Sequence, residues 1–198
     1  MSNPAYRSLL LDFLATRNPR KADAEAERIA TPEALKTWLL RRELIQPGDQ
    51  VLEADVANAR RVRAAIRSFI AAHRGRNVDP RTAPTLSSVT SYAPLKLTVG
   101  DDGAVRLQPA VGGVAGALSS IVAELYLAAA DGTLERLGIC RMCGFPFHDR
   151  TRNRSRVWCS MERCGARAKS RALKARRQGD SRASNREGIP AETPGASD

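Results

Sequence analysis

The sequence predicts an α+β fold: a mainly helical N-terminal domain with a small antiparallel sheet, followed by a small C-terminal module that ends in a basic helix. Three observations predict this arrangement. Apolar residues recur at helical spacing through most of residues 1–137, the spacing becomes alternate over residues 95–107, and basic residues crowd the chain after residue 138. With 198 residues, the chain is long enough to bury a core.

Helical spacing predicts four helices in the N-terminal domain, over residues 5–15, 31–46, 50–74 and 111–137. Thr31 suits the start of the second helix, because its hydroxyl can accept a hydrogen bond from a free backbone N–H. The third helix carries an arginine-rich side opposite its apolar side, and we interpret these arginines as a solvated surface: Arg60, Arg61, Arg63 and Arg67.

Alternation of apolar and polar residues predicts a β-hairpin. Leu95, Leu97 and Val99 alternate with polar residues, an Asp-Asp-Gly turn follows at 101–103, and alternation resumes after it. Residues 85–90 are predicted to form a third strand. The glycines near the start of the last helix are interpreted as close packing of helix on sheet and not as a phosphate loop, because no Gly-Lys-Ser/Thr follows: Gly112, Gly113 and Gly116.

Positive charge is concentrated towards the C-terminus. The formal net charge is +11, and residues 138–187 carry 14 basic and four acidic side chains, whereas residues 1–137 are nearly neutral. Charge so localised indicates a polyanionic partner such as nucleic acid. Only four cysteines are present, which argues against a disulfide-dense secreted mini-protein. The sequence shows no signal-peptide pattern and no apolar run long enough to cross a bilayer. We therefore expect a cytoplasmic protein without a membrane partner.

Four cysteines lie within the basic segment, spaced as C-x2-C, then fifteen residues, then C-x4-C: Cys140, Cys143, Cys159 and Cys164. Two such pairs in one intracellular chain predict a single structural Zn²⁺, because four thiolates complete a tetrahedral shell and leave no open position for catalysis. Redox pairs or free thiols are the alternative, and His148 is an alternative ligand. Phe145, Phe147 and Trp158 are expected to pack around the metal.

The basic side chains on both sides of the second cysteine pair are predicted to bind nucleic acid, because arginine can form two parallel hydrogen bonds with a phosphate or a guanine edge. This candidate surface comprises Arg150, Arg152, Arg154, Arg156, Arg163, Arg167, Lys169, Arg171, Lys174, Arg176 and Arg177.

Residues 140–149 (CRMCGFPFHD) and 156–169 (RVWCSMERCGARAK) resemble the CGNR zinc finger, a family named for its Cys-Gly-Asn-Arg signature. Members of that family carry an N-terminal ABATE domain, a stress-induced transcription regulator of bacteria, and residues 11–17 (LDFLATR) resemble its opening motif. This sequence has Ala166 in place of the signature Asn and Ala15 in place of an Asn of the opening motif. The resemblance implies an ABATE-like ligand-sensing domain at 1–137 and a zinc finger at 138–177. Residues 178–198 are rich in Ser, Gly, Ala, Pro and charge, a composition that predicts a disordered tail.

The first functional hypothesis is therefore a one-component transcription regulator in which the zinc module binds duplex DNA and the N-terminal domain binds a small-molecule effector; a homodimer is left open. The alternative is an RNA-binding protein that uses the same module. An acidic protein partner is disfavoured by the arginine density. Catalysis is not expected; Asp12, Glu124 and Tyr126 are the candidate pocket residues of the N-terminal domain.

Overall fold

Helices predominate in the structure, as the sequence predicts. The computed structural model describes residues 4–186, and the side chains of all of these except 4–8, 23–24, 177 and 179–186. The chain divides into two compact units, one ending at Cys159 and the other beginning at Ser160. In order, the first unit contains α1 (Pro4–Leu14), α2 (Asp23–Ala26), α3 (Pro32–Leu40), α4 (Glu53–Ala72), α5 (Thr82–Tyr92), β1 (Leu95–Val99), β2 (Val105–Pro109), α6 (Gly113–Ala130), a 3-10 turn (Thr133–Arg136), β3 (Leu137–Ile139) and β4 (Pro146–His148).

Two helix starts follow from local hydrogen bonds. The Thr31 hydroxyl accepts a hydrogen bond from the Ala34 N–H at 3.3 Å, which confirms the predicted cap of α3. At the start of α4, the Asp55 carboxylate accepts one from the Leu52 N–H at 2.8 Å. Each bond satisfies a backbone group that a helix terminus would otherwise leave open.

The core lies where α6 packs against α1, α4 and α5. Leu10, Phe13, Ile66, Leu118 and Ile121 are among its buried members. Their spacing along each helix is the predicted three-to-four-residue repeat, so the apolar side of each helix was correctly identified from the sequence.

One predicted strand is wrong. Residues 85–90 lie inside α5, which packs on α4 and α6 and has Thr82 and Val89 buried. The hydroxyls of Ser88 and Ser91 each donate to a backbone carbonyl one turn earlier, at 2.8 and 3.0 Å. These bonds give the hydroxyls partners within the helix, and tertiary packing outweighs the weak strand preference of this Ser/Thr-rich segment.

The predicted hairpin is confirmed as the antiparallel pair β1 and β2, with Leu97 opposite Leu107. Gly103 has a φ of +73°, so the tight turn uses a backbone conformation that glycine adopts without strain. A Cβ at Gly116 would lie 2.1 Å from the Val111 carbonyl oxygen and 3.4 Å from Pro109 of β2. This glycine therefore allows α6 to begin close against the hairpin, as expected from the sequence.

α6 corrects the expectation that no segment is long and apolar enough to cross a membrane. Its 18 residues have a mean hydropathy of 1.5, which satisfies that criterion by length and composition. Half of the helix is buried inside the protein. An apolar helix of this kind is also what the centre of a helical core requires.

Two arginines of α4 are not solvated, contrary to the sequence interpretation. Arg63 is only 4% exposed and donates to Glu27 at 2.5 and 2.8 Å and to the Thr16 hydroxyl at 2.6 Å. Arg67 donates to the Leu14 carbonyl at 2.9 Å. Burial, together with the nearby charges of Arg63 and Arg17, lowers the pKa of Arg67 to about 10. These side chains are internal because carbonyls and a carboxylate replace their water.

The second unit is largely one helix. Ser160 caps it by accepting a hydrogen bond from the Arg163 N–H at 3.3 Å. A π-helical turn, Met161–Gly165, leads into α7, Ala166–Arg186. α7 thus continues into the segment that we expected to be a disordered tail from residue 178; residues 187–198 of that segment lie outside the described residues.

Candidate metal centre

The first cysteine pair lies in the turn of a short hairpin, which we call the cysteine hairpin (Leu137–His148). β3 and β4 pair antiparallel with Ile139 opposite Pro146. The Cys140 N–H donates to the Phe145 carbonyl at 3.0 Å, and the Gly144 N–H donates to the Cys140 carbonyl at 2.8 Å. Gly144 closes this turn with a φ of +70°. The tight turn is what allows two sulfurs separated by two residues to face one ion.

A buried carboxylate holds the loop that follows. Asp149 has no exposed surface and accepts hydrogen bonds from the backbone N–H groups of Thr151 and Arg156, both at 2.9 Å, and from the Thr151 hydroxyl at 2.6 Å. Arg74 of the N-terminal domain pairs with it at 3.3 Å. Burial acts to raise the pKa of Asp149, but these hydrogen bonds outweigh it and lower the pKa to about 2. The loop therefore folds back around a fixed negative charge.

The loop brings the second cysteine pair to the first. The Arg141 N–H donates to the Val157 carbonyl at 3.2 Å, and the sulfurs of Cys143 and Cys159 lie 3.5 Å apart. All four cysteine sulfurs lie within 4.8 Å of one another. Four thiolates around one Zn²⁺ with bonds of about 2.3 Å stand about 3.8 Å apart, so the cluster fits a single structural zinc ion. The cofactor expected from the sequence is confirmed, and among the described residues His148 is not a member of the cluster.

The environment of Cys143 favours the thiolate that a metal requires. Burial acts to raise its pKa, but the Arg20 guanidinium and the Phe145 N–H donate to the sulfur and lower the pKa to about 6. Cys140 and Cys164 are buried. Ionised thiols are the species that bind zinc, so this setting lowers the cost of proton release on metal binding.

Arg20 is a metal-site residue that the sequence analysis missed. Its guanidinium donates to the Cys159 sulfur at 2.7 Å and lies over the Phe145 ring, 3.9 Å from the centroid. Desolvation opposes the charge of Arg20, but its bonds to the Cys143 and Cys159 sulfurs dominate and raise its pKa. A four-thiolate zinc site carries two net negative charges, and Arg20 offsets part of this charge.

We expect Arg20→Gln to speed the loss of zinc about tenfold, because removal of a partner of a metal ligand commonly weakens metal affinity by ten- to hundredfold. Transfer of zinc to a chromogenic chelator measures the rate. Arg28→Gln, which removes an exposed arginine, serves as the control. Equal release rates in the two variants would contradict a role for Arg20 at the metal.

Two further arginines hold the cysteine hairpin by its backbone. Arg67 donates to the Gly144 carbonyl, in the cysteine turn itself. Arg74 donates to the carbonyls of Leu137 at 2.9 Å and Arg156 at 2.7 Å. Arg63 and Arg67 stand four residues apart, a spacing that puts them on one side of α4, and Arg74 lies two residues beyond the end of that helix. This spacing was the feature of the sequence that could have indicated a shared role for these arginines. The sequence could not show that their side of α4 faces the interior of the protein.

The predicted nucleic-acid-binding residues divide into two that bond to other parts of the protein and a larger set that is exposed. Arg156 is half-buried and donates to the carbonyls of Trp158 and Cys159, so it supports the loop. Arg154 is exposed but pairs with Glu135. The others with described side chains are exposed: Arg150, Arg152, Arg163, Arg167, Lys169, Arg171, Lys174 and Arg176. The side chain of Arg177 lies outside the described residues.

The three aromatic residues that we expect to pack around the metal differ in burial. Phe147 is buried, and its ring lies against Gly138, where a Cβ would come within 2.5 Å of it. Phe145 and Trp158 are half-buried. The Phe147 ring therefore fixes the hairpin, and Phe145 supports Arg20.

Residues 136–177 match the family model of the CGNR zinc finger. Residues 7–133 match the model of ABATE, described as "Putative stress-induced transcription regulator". The chain belongs to the ABATE family. Both parts of the resemblance seen in the sequence are thereby confirmed. A comparison with curated proteins gives no match.

The three candidate pocket residues of the ABATE domain do not line a common cavity among those described beside α4, α5 and the cysteine hairpin. Asp12 pairs with Arg42 at 2.6 Å, and Tyr126 is 65% exposed. Glu124 is half-buried on α6, and burial raises its pKa to about 7. None of the three lines the cavities beside α4, α5 and the cysteine hairpin.

Proposed function

We propose that this ABATE-family protein is a zinc-dependent, one-component transcription regulator of the bacterial cytoplasm that binds duplex DNA through α7. Its N-terminal domain would bind an effector, and it would act without catalysis of its own. The observation that carries the proposal is a row of exposed basic side chains that begins at the metal centre and continues along one side of α7: Arg163, Arg167, Arg171 and Lys174.

The row has the properties of a phosphate-binding surface. Its members recur at three- to four-residue intervals along one side of the helix, and among the described residues that line this surface Glu162 is the one acidic side chain. Arginines so spaced can follow a phosphate backbone, and a helix fits the major groove. The family description, a stress-induced transcription regulator, supports the same use. Ala166 is exposed at the start of α7, so DNA contact here would depend on the basic residues and not on the signature Asn.

Neutralising the four residues of this row to Gln is expected to abolish most DNA affinity. Each lost phosphate contact should flatten the salt dependence of binding by about 0.9 in log–log slope. Fluorescence anisotropy with labelled duplex DNA, at several salt concentrations, measures both quantities. A matched control neutralises four exposed basic residues of the first unit: Arg28, Arg41, Arg61 and Lys96.

Equal loss of affinity in the two variants would show that only net charge matters and would reject the α7 surface. Competition with structured RNA distinguishes the alternative partner. If RNA displaces the duplex at far lower concentrations than unlabelled DNA does, the protein is an RNA-binding protein that uses the same surface.

A further inference from the structure

We propose that a cavity in the first unit binds a small oxyanion, of the class of phosphate esters, and that this is the effector site of the regulator. The cavity has a volume of about 350 Å³ and lies between the end of α4, the cysteine hairpin and the loop after it. Five guanidinium groups line it, and we call it the arginine cavity: Arg74, Arg76, Arg141, Arg154 and Arg156. The regulatory meaning rests on the proposed function; the binding does not.

The five arginines have two different tasks. Arg74, Arg154 and Arg156 already have partners, since their donors bind carbonyl oxygens or Glu135. Within the part of the chain that the structure describes, the guanidinium groups of Arg76 and Arg141 form no hydrogen bond or ion pair, and both are exposed. The first three supply fixed charge, and the latter two supply donors that a ligand can use.

The charge around the cavity is unbalanced. Glu135 in its lining and Asp149 beneath Arg74 are the carboxylates that pair with these arginines, which leaves an excess of three positive charges. A cleft with one sign of charge concentrates anions of the opposite sign. Two free guanidinium groups are suited to a tetrahedral oxyanion, because each can form two parallel hydrogen bonds with it.

The rest of the lining accommodates an apolar part of the ligand. Ala71, Ile139, Phe147 and Val157 contribute apolar surface beside the arginines. A volume near 350 Å³ lies at the lower end of the range for small-molecule sites. Inorganic phosphate alone would leave much of this space unused, so the natural ligand is expected to be an ester with an organic group.

The cavity also has a position from which a ligand could influence the metal site. Arg141 lies between the first two zinc ligands, and Arg156 donates to the carbonyl of Cys159. Arg74 joins the end of α4 to the same loop through the Arg156 carbonyl. An anion held by Arg76 and Arg141 would therefore bind the N-terminal domain and the cysteine hairpin at once.

The test uses the full zinc-loaded chain and pyrophosphate as the probe, with calorimetry at constant ionic strength. We expect saturable binding that weakens about tenfold for each free guanidinium removed, because each removal takes away charge-assisted hydrogen bonds to the anion. The variants are Arg76→Gln, Arg141→Gln and their combination. Arg28→Gln with Arg41→Gln, both outside the cavity, should bind within twofold of the wild type. Zinc content and circular dichroism confirm that each variant is folded.

Three results would overturn the proposal: pyrophosphate binds without saturation, it binds the double variant as tightly as the wild type, or its binding is lost in the α7 variant instead. A DNA arm separates the sources of phosphate. If Arg76→Gln and Arg141→Gln reduce DNA affinity as strongly as the α7 changes do, the cavity belongs to a nucleic-acid surface and the small-molecule site is rejected. Saturable pyrophosphate binding in a chain that fails to bind DNA would reject the proposed function and leave this inference standing.

Discussion

Replacing Cys143 by serine is expected to reduce the bound zinc from one ion per chain to almost none and to abolish DNA binding. A serine hydroxyl is a poor zinc ligand near neutral pH, because it keeps its proton where the Cys143 thiol, with a pKa lowered to about 6, releases it. Structural zinc contributes on the order of 10 kcal/mol to small modules of this kind. The cysteine hairpin and the start of α7 should therefore lose their fixed geometry together.

Metal analysis after gel filtration measures the zinc, and the visible spectrum of the cobalt-substituted protein reports tetrahedral thiolate ligation. His148→Gln is the control, because the histidine was the alternative ligand and is absent from the cysteine cluster. It should retain one zinc ion. Loss of zinc in the His148 variant, with retention in the Cys143 variant, would contradict the four-thiolate centre.

Replacing Asp149 by asparagine is expected to lower the free energy of unfolding by about 3–5 kcal/mol, as for loss of one member of a buried ion pair. The change removes the carboxylate that pairs with Arg74. It also places an amide N–H₂, which can only donate, against N–H groups such as that of Arg156 that donate to the carboxylate in the wild type. Denaturant titration of the zinc-loaded protein measures the effect. Asp79→Asn is the control, because Asp79 also pairs with an arginine but lies at the surface, and its unfolding midpoint should hardly move.

The difference in the free energy of unfolding between the wild type and Asp149→Asn should depend on pH in one direction. The pKa of Asp149 is lowered to about 2 in the folded protein, against about 3.9 in an unfolded chain. The ionised carboxylate therefore stabilises the fold fully above about pH 4 and loses this effect as the pH falls towards 2. The gap between wild type and variant should be constant from pH 8 to 5. A gap that already closes at pH 6 would show that another group, and not Asp149, is titrating.

The fold and the metal ligands were predictable because their signals are local. The period of the apolar residues located α1, α4 and α6, and the cysteine spacing alone indicated zinc. The strand predicted at 85–90 failed because the strand preference of Thr and Val is weak and depends on context, and packing of α5 against α4 and α6 outweighs it.

The supporting arginines could not be predicted in the same way. An arginine on a polar helix side is solvated in most proteins, and only the fold shows that Arg67 meets the carbonyl of Gly144, 77 residues further along the chain. Arg20 likewise bonds to a cysteine 139 residues away. Contacts of such long sequence separation leave no periodic trace in a single sequence.

The arginine contacts to the cysteine hairpin have a consequence for how the protein can be divided. Homology separates the two families between residues 133 and 136, whereas the first compact unit extends to Cys159 and includes three of the four cysteines. A fragment cut at the homology boundary would retain every thiolate and lose the guanidinium groups of Arg20, Arg67 and Arg74 that hold them. The family boundary and the boundary between the compact units thus fall at different residues, and the excised finger is expected to be a poor substitute for the intact chain.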